Sequence, residues 1–233
     1  RILCRRAEAR RSTYNPAPLM PLGYVQGLRR LYRAFRRYPA GHRLHVFIRY
    51  FTCPFTRTVD DVPAGSRVLE IGSGHAAFGV LIEDRIREVV AVEPDLRKSL
   101  LPSPSPKIRK VAGFDDCVRG SDFDAAVVYD VTYRMPLDVR RALFTRLFAR
   151  LRPGGTLVFK DMDDGHRWKM KWARFQEWLS DRFLHISIGE GFIYQSKAEV
   201  ETMLREIGFT GFAARAIDRG YPHPHMIYTA TKP

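Results

Sequence analysis

The segment Val68-Leu69-Glu70-Ile71-Gly72-Ser73-Gly74-His75-Ala76-Ala77 sets an acid, two glycines and a hydroxyl between an apolar run and a helical pattern. Glycines at such a turn let the backbone approach a ligand closely, and the free N–H groups of the helix that follows favour anionic or polar groups. Glu93 stands nineteen residues beyond Gly74, at the end of the next apolar run. A carboxylate there can accept hydrogen bonds from both hydroxyls of a ribose. Together the glycine turn of Gly72 and Gly74 and the acid Glu93 predict an adenosine-type ligand. A second group of polar residues, Asp130, Tyr133, Asp161, Asp163 and His166, follows two later apolar runs. On parallel strands these positions share the crevice at the carboxyl ends, where ligands of open α/β sheets bind. Asp130 has a plainer alternative there as a helix cap.

The elements that must hold these residues in place are legible from periodicity. Apolar runs at Arg67–Ile71, 88–93, 108–112, 125–130 and 156–162 alternate with helical patterns at 76–85, 95–101 and 137–151. Strand and helix in repeated alternation predict a doubly wound, mostly parallel α/β sheet. Residues 168–184 place Trp168, Trp172, Phe175, Trp178 and Phe183 at spacings near three and four, the pattern of an amphipathic helix. A capping box of Ser196 and Glu199 opens a helix over Lys197–Ile207, and Gly208 closes it. Two last strands are expected at 211–217 and His225–Thr231, with His223 and His225 in an exposed hairpin. Before Arg67, a cationic helix over 24–38 and a second over 44–51 are expected to pack on the sheet. The division that follows is a basic helical N-terminal extension, 1–60, and a sheet domain, 61–233.

The string Gly72-x-Gly74-x-x-Ala77 formally matches the nicotinamide-dinucleotide fingerprint. Glu70, two residues before the first glycine, instead resembles the first motif of the class I S-adenosylmethionine-dependent methyltransferases, an acid followed by GxGxG with Ala76 at the third glycine. The resemblance spans residues 67–233. Residues 90–95 are similar to the family's ribose-binding strand end, Gly113-Phe114-Asp115 to its adenine-side loop, and 123–133 to its fourth strand. Leu151-Arg152-Pro153-Gly154-Gly155 resembles the turn into its fifth strand. The resemblance implies a Rossmann-like seven-stranded sheet, mostly parallel with an antiparallel last strand, plus the N-terminal helical segment. It implies S-adenosylmethionine as cofactor, held by Glu70, Gly72, Ser73, Gly74, Glu93, Phe114, Asp115 and Asp130.

A methyl acceptor needs in-line placement against the sulfonium carbon and, for a hydroxyl, removal of a proton. Tyr133, Asp161, His166, His185 and Tyr194 are the candidate catalytic residues, and an apolar or aromatic hydroxyl the expected acceptor. A catechol-type metal site would draw on Asp130, Asp161 and Asp163. No Asn accompanies them, so turnover is expected without a divalent metal. The segment Asp130-Val131-Thr132-Tyr133-Arg134 lacks the Pro-Pro signature of enzymes acting on exocyclic amines of bases.

The 233 residues are 45% hydrophobic and 27% charged, which excludes disordered and collagen-like chains. No apolar run approaches the ~20 residues of a membrane-spanning helix. Three cysteines without a CxxC pair suit a reducing, cytoplasmic location. Of the formal charge of +14, +11 lies in residues 1–60. Such a segment predicts an anionic partner: a membrane surface to which the protein is peripheral, an acidic carrier protein, or RNA held by its phosphates. The expected acceptor is accordingly small or lipid-like and presented at a membrane or on a carrier. An RNA methyltransferase and a non-catalytic binding scaffold are the alternatives.

Overall fold

Successive side chains of a strand leave the backbone on opposite sides, and here both sides are covered, which explains strands that are apolar almost throughout. The computed structural model describes residues 21–114, 118, 120, 122–162, 193–221 and 223–233. Asp115, Asp163, His166, His185 and the expected helix at 168–184 lie outside them. The strands are β1 (Arg67–Ile71), β2 (Glu88–Val92), β3 (Ile108–Val111), β4 (Phe123–Tyr129), β5 (Leu151–Met162), β6 (Thr210–Ala216) and β7 (His225–Thr231). They form one sheet in the order β3-β2-β1-β4-β5-β7-β6. β1 to β5 are mutually parallel, and β7 runs antiparallel between β5 and β6.

Register then decides which residues meet. Ile71 of β1 lies opposite Val92 of β2 and Val128 of β4, so these strands end level with one another. Gly72, Glu93 and Asp130 consequently emerge side by side where the strand order reverses, the position at which open α/β sheets bind ligands.

One face of the sheet carries Val68, Ala91, Val127 and Val158 against α3 (Ala77–Ile82) and two N-terminal helices, α1 (Tyr24–Phe35) and α2 (Ala40–Thr52). The other carries Leu69, Val90, Ala126 and Phe159 in a core with Phe144 and Leu147 of α5 (Leu137–Arg150) and Leu204 of α6 (Lys197–Ile207). A short α4 (Leu96–Ser99) follows β2, its N-terminus capped by Asp95. Leu31 and Phe35 of α1 and Val46 and Tyr50 of α2 are fully buried in the first core. Each such side chain contributes about 1.5–3 kcal/mol. Gly27 is part of the same arrangement, because a Cβ there would lie 2.5 Å from the Tyr50 hydroxyl.

Most element boundaries match expectation within two or three residues, and the differences have local causes. α3 begins at Ala77, not 76, because Ala76 adopts φ 61°, the left-handed conformation that suits glycine. β4 begins at Phe123, not 125, because Phe123 pairs with Leu151 across an irregularity in register. α2 starts at Ala40, not 44, directly behind Pro39, whose fixed φ suits entry into a helix. α6 keeps the expected bounds, its capping box and its left-handed Gly208. The expected exposed hairpin at His223 and His225 is corrected: His225 is 3% exposed, because β7 lies inside the sheet and not at its edge. Among the described residues no helix is long and apolar enough to cross a membrane.

Candidate active site

The loop after β1 alternates left-handed residues, with φ 64° at Gly72, 57° at Gly74 and 61° at Ala76. Gly72 is also sterically required, since a Cβ would fall 2.2 Å from Cγ2 of Val131. At Gly74 a Cβ would meet nothing within 4 Å, so the loop's crest faces open space. Glu93 fixes the crest in place. One carboxylate oxygen accepts from the Gly74 N–H at 2.7 Å and the other from the Asp95 N–H at 2.9 Å. Each oxygen keeps a further lone pair for a ligand hydroxyl. Ser73 donates its N–H to the Val92 carbonyl, and its buried hydroxyl has no partner among the described residues.

Glu70 is buried within β1, and its Oε2 also lacks a hydrogen-bond partner among the described residues. Burial pushes its carboxyl up to about 8; a backbone bond from Gly79 opposes the rise and the nearby Glu93 adds to it. A cavity of about 60 Å³ runs between Glu70, the glycine loop, Phe78 and Tyr129. His45, Val46 and Arg49 of α2, with Phe55 just beyond it, form its remaining wall. Typical ligand pockets hold ~300 Å³ or more, so α2 roofs the space closely. His75 joins loop to roof: its Nε2 lies 2.8 Å from Nδ1 of His42, and its ring 5.2 Å from that of His45. Burial and these neighbours lower the His75 imidazole to about 3, so it is neutral.

Asp130 does not line this cavity. Its carboxylate is turned onto Lys160, which is fully buried, and onto Arg49 at 2.8 Å; Sγ of Cys53 donates to it at 3.4 Å. Burial alone would raise the Asp130 carboxyl, but Lys160 and Arg49 hold it far below the ordinary carboxylate range. Nearby, His225 Nε2 donates to the Thr52 carbonyl at 3.1 Å, which leaves Nδ1 bare and without a partner among the described residues. Phe114 packs on the second core, with Arg146 4.4 Å above its ring. No cluster of three or more metal-ligating side chains occurs among the described residues.

At the ends of β4 and β5 three of the candidate catalytic residues come together. Tyr133 and Tyr194 stack with their centroids 6.5 Å apart and planes at 11°, and the Ile193 N–H donates to the Tyr133 carbonyl at 2.8 Å. Thr132 donates its hydroxyl to Asp161, whose other oxygen accepts from the Met162 N–H at 2.8 Å. Burial raises Asp161 to about 6 against the pull of these two bonds. The pair of tyrosines is joined by Arg140, which donates to the Thr132 and Ile193 carbonyls at 2.7 Å each and to Oε1 of Gln195. Sequence reasoning missed Arg140. Its signal was position: it stands four and seven residues before Phe144 and Leu147, on the buried face of α5. Replacing Arg140 with methionine is expected to cost about 3 kcal/mol of stability, because the Thr132 and Ile193 carbonyls and Gln195 each lose a charged donor. Hydrogen exchange should then show residues 193–196 opening before the sheet does.

The model of one protein family, a methyltransferase domain, matches residues 34–213. The chain belongs to that family. It is an S-adenosylmethionine-dependent methyltransferase of class I, and S-adenosylmethionine is its cofactor. No curated protein sequence matches it. Its fold is similar to that of an S-adenosylmethionine-dependent methyltransferase from Thermotoga maritima, at 18% identity and TM-score 0.62 over 87% of this chain and all of that one. A methyltransferase in complex with the Trm112 activator of Haloferax volcanii gives 15% and 0.64 over 86% and 96%. The 1,6-didemethyltoxoflavin-N1-methyltransferase of Burkholderia thailandensis gives 16% and 0.57 over 94% and 93%. The methyltransferase has what such a ligand needs: a glycine crest facing open space, Glu93 with lone pairs to spare, and the orphaned Glu70 Oε2 and Ser73 Oγ.

Proposed function

We propose that this methyltransferase methylates a hydroxyl oxygen of a small or lipid-like acceptor that is apolar or aromatic. The observation that carries the reading is the stacked Tyr133–Tyr194 pair, together with the Thr132–Asp161 hydrogen bond at the ends of β4 and β5. Two parallel rings form a flat wall for an apolar acceptor. Asp161, raised to about 6, is a better proton acceptor than an exposed carboxylate and takes the hydroxyl proton as the methyl is transferred. His166 and His185 complete the proposed acceptor side. On the cofactor side, Glu93 holds the ribose hydroxyls, Gly72, Ser73 and Gly74 cradle the amino-acid end, and Glu70 faces its ammonium; Phe114 and Asp115 are proposed at the adenine. Asp130, held between Lys160 and Arg49, acts on the cofactor only by orienting Arg49. When bound, the cofactor supplies an electrophilic methyl group. We assign the catalytic residues to 61–233, capture of an anionic partner to the basic extension 1–60, whose α2 also walls the cavity, and the protein to the cytoplasm, where its buried free Cys53 stays reduced.

Screening phenols, hydroxylated lipids, N-heteroaromatic amines and RNA with methyl-labelled cofactor tests the acceptor. Label on oxygen of a phenol or lipid supports the proposal, and label on nitrogen or on RNA overturns it. The cofactor side has its own readout, calorimetry with S-adenosylhomocysteine. Near pH 7 Glu70 is protonated in the empty site, and an ammonium beside it favours the carboxylate. Binding should therefore release a proton at pH 7, less as pH rises past about 8, and none in Glu70→Gln. Glu93→Ala should weaken binding about 10- to 150-fold, the worth of charge-assisted hydrogen bonds.

A further inference from the structure

Leu44, Ile48 and Phe51 recur at four and three positions along α2 and are 62%, 51% and 53% exposed. The ring of Tyr24, itself 44% exposed, lies 6.3 Å from that of Phe51 and carries this apolar stripe onto α1, where Val25 follows. Residues 21–59 contain eight arginines and no acid. Three arginines are engaged within the fold: Arg30 with Asp84, Arg49 with Asp130, and Arg57 with the carbonyls of Ile217 and Arg219. The other five, Arg29, Arg33, Arg36, Arg37 and Arg43, form no ion pair among the described residues.

We propose that this face docks the methyltransferase on an anionic lipid bilayer, with the α2 stripe at the acyl boundary and the five arginines among the phosphates. Exposed apolar and cationic groups side by side on helices are the requirements of interfacial binding. An RNA would satisfy the arginines but offers nothing to Leu44 or Ile48. A second copy would set one cluster of arginines against another. The inner side of α2 carries His45, Val46 and Arg49 of the cavity wall, so docking places the cavity one helix away from the bilayer. This deepens the proposed function and rests on it for the lipid-like class of acceptor.

Flotation of the full chain with phosphatidylcholine vesicles, with and without phosphatidylglycerol, tests the docking in the absence of cofactor. Binding is expected only with the anionic lipid. Changing Leu44, Ile48 and Phe51 together to serine should weaken it about a hundredfold. Changing the five arginines to glutamine should weaken it about a thousandfold, and added salt should shrink that difference. Both variants should bind S-adenosylhomocysteine as the parent does, which shows that they are folded. Vesicle binding unaffected by the serine changes overturns the proposal. So does RNA binding that needs the arginines and not the stripe, and so does a dimer in sedimentation velocity that the serine changes dissolve. Vesicle binding with no label on any lipid or phenol leaves the docking standing and overturns the acceptor class.

Discussion

Gly72→Ala is expected to abolish binding of S-adenosylhomocysteine and to destabilise the protein by about 3 kcal/mol, the left-handed penalty and the overlap together. The new methyl would fall on Cγ2 of Val131, two residues beyond the end of β4, and the loop retreats only by giving up the Gly74–Glu93 bond. Gly74→Ala makes the contrast. Its φ is also left-handed but its surroundings are empty, so it should cost about 1 kcal/mol of stability while its methyl obstructs the ligand. Thermal unfolding and calorimetry on both variants separate strain from obstruction. Val131→Ala added to Gly72→Ala should recover most of the overlap cost. Failure to recover any of it would show that the loop is not held against Val131.

Lys160→Met is expected to cost about 3–5 kcal/mol, the usual result of removing one partner of a buried ion pair. Asp130→Ala should cost at least as much, since it strands a lysine with no exposed surface beside Arg49. The double variant Lys160→Met with Asp130→Leu should recover much of the loss, because apolar pairs of similar volume replace buried ion pairs at little cost. Denaturant unfolding measures all three. The Asp130 carboxyl is depressed in the folded state, so its stabilisation is complete above the unfolded value of 3.8 and declines as pH falls below it. Asp130→Ala should therefore lose that part of the acid sensitivity. An unchanged acid limb would place the protein's acid sensitivity elsewhere.

The residues that were legible in advance are those whose role is written in local spacing. Gly72, Gly74 and Glu93 announce themselves because a strand, a turn and a second strand of ordinary length bring them level. Ser196 and Glu199 announce a helix start because both partners lie within one turn. Roles that depend on distant meetings were hidden. His42 and His75 are 33 positions apart, Arg49 and Asp130 are 81, and nothing local in α2 shows that it closes over the glycine loop. Lys160 carried a partial signal, a lone cation inside an apolar strand, and Arg140 a similar one on the apolar face of a helix. In both cases the surprise was burial of a charge, and burial depends on what packs above. Asp130 was correctly placed at the strand end, yet its partners come from β5 and α2, which its own sequence neighbourhood does not specify.

The tight roof that α2 makes over the glycine loop has a kinetic consequence. A ligand larger than the cavity enters only after the side chains of His45 and Arg49 have swung aside, and Arg49 moves only by leaving Asp130. Entry is then a two-stage process in which opening precedes or follows encounter. In stopped-flow mixing the observed rate of association should climb with ligand concentration and level off at the opening rate. Weakening the Arg49 latch with Arg49→Lys should raise that plateau, and the same change should speed dissociation, so residence time falls further than affinity.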